Sequence, residues 1–230
     1  MIFLSLHRWL LLCASLFFAI NSCSPKVLTA HPVLKGRTKP AVLFIGNSYS
    51  FGVPKEFQKL AAKHGVTLEV AQSTHSGRSL ARHAYDAETL KKIRARRWDV
   101  IVLQEFSRTP SLPIHRDLLM FPAVKKLAAE ARRQGAIPVL YQTWGWRYGD
   151  PKKAGDHFIA MNHRVRQGYA LAAQKAGALQ IVPVGDAWQR EWTAGRGTSL
   201  FMPDGRHPSP RGIKLAAEIF YTTLFGRTSA

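Results

Sequence analysis

The sequence predicts an α/β fold: a three-layer α/β/α sandwich around a five-stranded parallel sheet ordered 2-1-3-4-5. Three observations carry this expectation. Apolar, strand-like runs alternate with helix-like stretches along the chain after Pro40. The runs are continuous rather than alternating in and out, as expected where helices cover both sheet faces. The stretches between them are long enough for the right-handed crossovers that parallel strands need.

In order, the strands fall at 41–46, 67–71, 99–103, 137–142 and 180–184. The helices between and after them fall at 54–64, 79–94, 121–134, 154–176 and 209–225. Segments 109–120 and 144–153 read as longer loops or short helical pieces. Five βα units of this kind suggest a flavodoxin-like strand order. The site of such a sheet belongs at the carboxyl ends of its strands. No internal repeat, low-complexity tract or second domain is visible.

Composition narrows the functional classes. A chain of 230 residues, 46% hydrophobic, suits one domain with a real core and excludes disorder as its main state. Two cysteines exclude a disulfide-framed miniprotein, and no Cys/His cluster has zinc-finger spacing. Thirty-three Lys and Arg against 14 Asp and Glu give +19, which asks for a polyanionic partner, a membrane surface or a basic proteome.

Residues 1–22 form an address. Arg8 precedes an apolar run, Trp9 to Ile20, too short to cross about 30 Å of hydrocarbon as a helix. The run ends in Ala19-Ile20-Asn21-Ser22-Cys23, which resembles a bacterial lipoprotein signal. Cleavage there removes Cys13 and leaves Cys23 as a lipidated N-terminus and membrane anchor. An ordinary cleaved signal with a secreted soluble product, or an uncleaved anchor, are the alternatives. Residues 23–39, rich in Pro, Lys, Thr and Gly, read as a tether, and 40–230 as the domain. The expected location is the cell envelope, periplasmic or extracellular.

The strand ends carry the chemistry. Gly46-Asn47-Ser48 follows the first strand, Ser76-Gly77-Arg78 the second, Gln104-Glu105 the third and Trp144-Gly145-Trp146 the fourth. Asp204-Gly205-Arg206-His207 precedes the last helix. A serine nucleophile needs a histidine base, itself oriented by a carboxylate. Asp204-x-x-His207 is the pair whose spacing suits that relay. Asp156 and His157 are adjacent, so their side chains diverge, and His83-x-x-Asp86 reads as a solvated helix face. Taken alone, each of these turns is equally a capped helix start.

Together, these residues resemble the SGNH/GDSL hydrolase superfamily from Ala41 to about Phe225. The resemblance implies Ser48 as nucleophile, with Asp204 and His207 completing a triad. It implies an oxyanion hole from the N–H groups of Ser48 and Gly77. Two positions depart from the family pattern. Asn47 stands where the first block usually has Asp, and Gln104 where the third block usually supplies an Asn donor. Gln104 is expected to complete the oxyanion hole despite its extra methylene. An atypical branch beginning Ile-Gly-Asn-Ser, with a Leu-Gln-Glu third block, has the same pattern. The implied activity is ester hydrolysis through an acyl-serine, with no metal or organic cofactor. Acyl or acetyl esters of carbohydrate are the expected substrates.

Asn47, Trp144 and Trp146 are candidate substrate contacts, with Tyr148, Trp188 and Trp192 near them; packing of long loops is the plainer explanation of the aromatics. The basic clusters around 78–97 and 125–133 read first as solvated helix faces. Contact with anionic lipid or acidic polysaccharide comes second. Nucleic acid comes last, since no nucleic-acid motif accompanies an export signal. The rival from another class is a non-catalytic carbohydrate- or envelope-binding lipoprotein that keeps the fold.

Overall fold

The computed structural model describes residues 31–226. The signal segment 1–22, Cys23 and the first part of the tether lie outside the described residues. β1 (Ala41–Gly46) leads through a short 3-10 turn to α1 (Val53–Lys63), and β2 (Glu69–Thr74) to α2 (Leu80–His83) and α3 (Ala87–Arg94). β3 (Val100–Leu103) is followed by α4 (Pro113–His115), a wider π turn and α5 (Phe121–Arg133). β4 (Ile137–Tyr141), α6 (Phe158–Lys175), β5 (Gln180–Val182), α7 (Val184–Thr193) and α8 (Pro210–Phe225) complete the chain. All pairs are parallel and the order is β2-β1-β3-β4-β5, as the sequence predicts.

The continuous apolar runs have a direct cause. β1 and β3 are buried at every position, and their side chains alternate between two cores. Leu43, Ile45, Ile101, Leu103 and Leu140 pack with α2, α3, α5 and α6. Val42, Phe44, Val102, Val139 and Tyr141 pack with α1, α7 and α8. β2, at the sheet edge, is half exposed, and among the strands this is where the expected boundaries slip most.

Four differences from the sequence reading have physical reasons. The stretch 79–94 is two helices, because Asp86 accepts from the Thr89 N–H at 2.9 Å and caps a new start. α6 starts at Phe158, since Asp150, Lys153, Gly155 and Asp156 are spent on turns. α7 was not expected; it buries Val184, Ala187 and Trp188 immediately after β5. The described part of the tether folds onto the domain: Leu34 is buried, and its N–H donates to the Leu224 carbonyl at 2.7 Å. No helix among the described residues is long and apolar enough to cross a membrane.

Candidate active site

The carboxyl ends of β1 and β3 and the loop before α8 converge on one hydroxyl. Ser48 opens the 3-10 turn after β1, and its Oγ lies 2.9 Å from His207 Nε2. His207 Nδ1 meets Asp204 Oδ2 in a short contact. A carboxylate can only accept, so Nδ1 carries the proton and Nε2 offers its lone pair to the Ser48 hydroxyl. The other carboxylate oxygen, Asp204 Oδ1, accepts the N–H groups of Arg206 (2.9 Å) and His207 (3.0 Å). One carboxylate therefore shapes the turn and aims the ring. Burial pulls the Asp204 titration upward, but the His207 ring and these two N–H groups outweigh it and hold the carboxyl below its usual range.

The loop bearing the pair is fixed from three sides. Met202 donates to the His207 carbonyl at 2.8 Å, Arg147 to the Gly205 carbonyl at 2.8 Å, and Trp144 Nε1 to the Arg206 carbonyl at 3.0 Å. Ser209 then caps α8 by accepting from the Gly212 N–H. The Tyr49 ring meets the imidazole edge-on at 5.4 Å.

The residues expected to hold an oxyanion divide into two kinds. The N–H groups of Ser48 and Gly77 have no hydrogen-bond acceptor among the described residues. Gly77 sits at φ +67°, a conformation that favours glycine, with open space where a Cβ would stand.

Gln104 behaves differently from the expectation. Its Oε1 accepts from Asn47 N (2.8 Å) and Ser50 Oγ (3.0 Å), and its Nε2 donates to Asn47 Oδ1 (3.1 Å) and to the Glu105 carbonyl. Both amide protons are committed inside the protein and the side chain is fully buried. Gln104 is a brace under the nucleophile turn, not an oxyanion donor. The same brace explains Gly46, where a Cβ would stand 2.4 Å from Gln104 Oε1. Replacing Gln104 by Met is expected to lower stability by about 2 kcal/mol, because the buried Asn47 N–H loses its acceptor. Urea melts together with kinetics check this: a pure oxyanion donor would lower kcat and leave stability untouched.

Asn47 and the tryptophans are also corrected. Asn47 is buried; its Oδ1 caps the turn at Tyr49 N, and its Nδ2 donates to the Arg78 carbonyl, tying the two donor loops together. It has no surface for substrate. Trp144 is wholly buried, stacked between Trp188 (3.7 Å) and Tyr49 (4.9 Å). Trp146 is nearly buried, donating to Ser107 Oγ at 3.2 Å beneath the Arg206 guanidinium. Flat rings that close the interior leave no face for a ligand. Tyr148 is the exposed aromatic of this loop, at 69%, and its ring lies against Gly205.

One residue expected on a solvated helix face lies inside the protein. His83 is fully buried, with Nε2 donating to the Gly46 carbonyl at 2.8 Å and Nδ1 against Thr89 Oγ1 at 2.9 Å. Burial drives its titration down to about 4, so it is an uncharged strut below the nucleophile turn. The capping pattern Asp86-x-x-Thr89, read as a helix break, could have signalled that His83 turns inward. Among the described residues no group of His, Cys, Asp and Glu is arranged to hold a metal.

No protein-family model matches this chain, and no curated protein sequence does. Solved structures do. A Slackia heliotrinireducens protein assigned to the SGNH hydrolases is 31% identical over 81% of this chain and 99% of its own, with a TM-score of 0.68. A DUF4886 family protein from Bacteroides uniformis is 21% identical over 82% of this chain and 84% of its own, with a TM-score of 0.73. An acetyl xylan esterase is 13% identical over 80% of this chain and 100% of its own, with a TM-score of 0.60.

Proposed function

The chain belongs to the SGNH/GDSL hydrolase superfamily and is a serine esterase of that type, and from this premise we propose that it removes short acyl groups, acetyl foremost, from carbohydrate. The observation that carries the proposal is the relay Ser48–His207–Asp204, with 2.9 Å between hydroxyl and imidazole. His207 takes the Ser48 proton as Oγ attacks the ester carbonyl, and Asp204 stabilises the imidazolium. The tetrahedral oxyanion accepts from the N–H groups of Ser48 and Gly77. The imidazolium then protonates the departing alcohol, and the acyl-Ser48 is hydrolysed by water activated on the same ring.

A short acyl group and a large alcohol fit the surroundings. The side chains of His207 and Asp204 are 43% and 45% exposed, so the relay lies open to solvent. Phe51, Tyr148 and Met202 stand exposed on the loops that carry it. Two surface concavities lie away from the relay, along α7 and at the amino end of β3. A flat aromatic such as Tyr148 covers an apolar sugar face at low entropic cost. The likeness to an acetyl xylan esterase supports the same substrate class.

The commitment of Gln104 elsewhere favours one rival, a carbohydrate-binding protein that keeps the fold without turnover. A panel of acetylated xylosides and glucosides, aryl acetates and aryl octanoates separates them. Release of acetate from the sugars, with octanoate the poorer aryl substrate, is the expected result. No turnover of any ester, together with sugar binding, overturns the proposal in favour of the rival. We also place the enzyme in the cell envelope, anchored through lipidated Cys23. A Cys23→Ser chain that still partitions into the membrane fraction would contradict that anchor.

A further inference from the structure

Four acid side chains are buried among the described residues: Glu105, Glu130, Asp150 and Asp156. Glu130 meets Arg94 and Arg133, Asp150 meets Arg108, and Asp156 meets Arg164. Among the described residues Glu105 has no basic partner, in a chain where bases outnumber acids 33 to 14. Its Oε1 accepts the N–H groups of Leu80 (3.2 Å) and Phe106 (2.5 Å), and its buried Oε2 has no partner among the described residues. We propose that Glu105 is a positioning residue for the ester hydrolysis proposed above, on which this inference rests: as an uncharged carboxylic acid it holds segment 77–80, and with it the Gly77 N–H, against the end of β3.

The geometry decides the charge state. A buried carboxylate needs donors on both oxygens, whereas a neutral acid leaves only a hydroxyl unpaired, the smaller cost. Burial accordingly raises the Glu105 titration to about 7, against the pull of the two N–H groups. The ionisable groups on the elements that meet it do not compensate a charge there. Tyr169 on α6 accepts the Glu105 N–H at 3.1 Å, and burial drives its own titration far upward. On the oxyanion segment and α2, Arg78 is paired with Asp86, and His83 is uncharged at neutral pH and bound to Gly46.

The function follows from where the held backbone leads. Leu80 begins α2, three residues after Gly77, and Asn47 grips the same segment only at the Arg78 carbonyl. Glu105 supplies the second point of attachment. Its neighbour Gln104 braces the nucleophile turn, so consecutive residues after β3 fix the two loops that offer oxyanion donors. Ionisation would place an uncompensated negative charge on the support of a loop meant to stabilise an oxyanion. It also lowers stability: the native acid keeps its proton between about pH 4.5 and 7, where the unfolded chain loses it, so stability falls as pH rises through that window.

Steady-state kinetics on an aryl acetate, with amide exchange over 77–83, test this in the full chain. Glu105→Gln mimics the neutral acid. It is expected to keep kcat within about threefold of wild type below neutral pH, and to lose the alkaline fall near pH 7 expected of wild type. Glu105→Ala is expected to lower kcat by about tenfold or more with KM little changed, and to speed exchange at Leu80. Wild-type kcat in Glu105→Ala, or an unchanged alkaline limb in Glu105→Gln, overturns the inference. If Glu105→Ala does not fold, the Glu105→Gln profile decides. A wild-type chain without esterase activity overturns the hydrolase reading instead. Leu80 exchange in Glu105→Ala then still decides the positioning claim, which fails if exchange is unchanged.

Discussion

Ser48→Ala is expected to lower kcat on aryl acetates by about 10⁴- to 10⁶-fold while the fold and its melting transition stay intact. The Oγ is the only atom removed, and it makes one contact, to His207 Nε2. Because the relay acts as a unit, adding His207→Ala should cost almost nothing further. Asp204→Asn is expected to lose about 10⁴-fold for another reason: an amide in place of the carboxylate can present a donor to Nδ1 and so select the wrong tautomer. Single-turnover acylation by a chromogenic ester reads these losses directly. A Ser48→Ala enzyme retaining more than about one per cent of wild-type kcat would remove Ser48 from the chemistry.

Trp144→Ala is expected to cost about 3–5 kcal/mol of stability, the largest single effect on the fold. The ring is fully buried between Trp188 and Tyr49, so truncation opens a cavity bounded by rigid rings that collapse poorly. Trp144→Phe separates packing from hydrogen bonding. It keeps an aromatic plate but loses the Nε1–H bond to the carbonyl of Arg206, the residue before the catalytic base. About 1–2 kcal/mol of stability and a measurable fall in kcat are expected to go together. Urea denaturation and kinetics on the same samples check both; a Trp144→Phe enzyme with reduced stability and wild-type kcat would separate the stack from the base.

The sequence made the sheet and the relay legible for one reason: both are written in local patterns. Continuous apolar runs mark strands buried on two faces, and Asp204-x-x-His207 places acid and base within one turn. Gln104, Asn47 and Trp144 were misread because residue type tells what a group can donate or stack upon, not which way it faces. Gln104 has the chemistry of an oxyanion donor and spends both amide protons on its own neighbours. His83, expected on a solvated helix face, turns inward because the helix breaks at Asp86. Leu34 gave no signal either, since the Val33-Leu34 pair in a polar stretch sets no period, yet it docks against the end of α8.

That docking settles the polarity of the whole particle. The Leu34–Leu224 contact and the Arg37–Asp99 ion pair hold the incoming chain at the amino ends of the strands, while the Ser48 hydroxyl stands at their carboxyl ends. The two poles are separated by the length of β1, six residues or about 20 Å. Residues 31–37 therefore meet the domain on the side opposite the Ser48 hydroxyl.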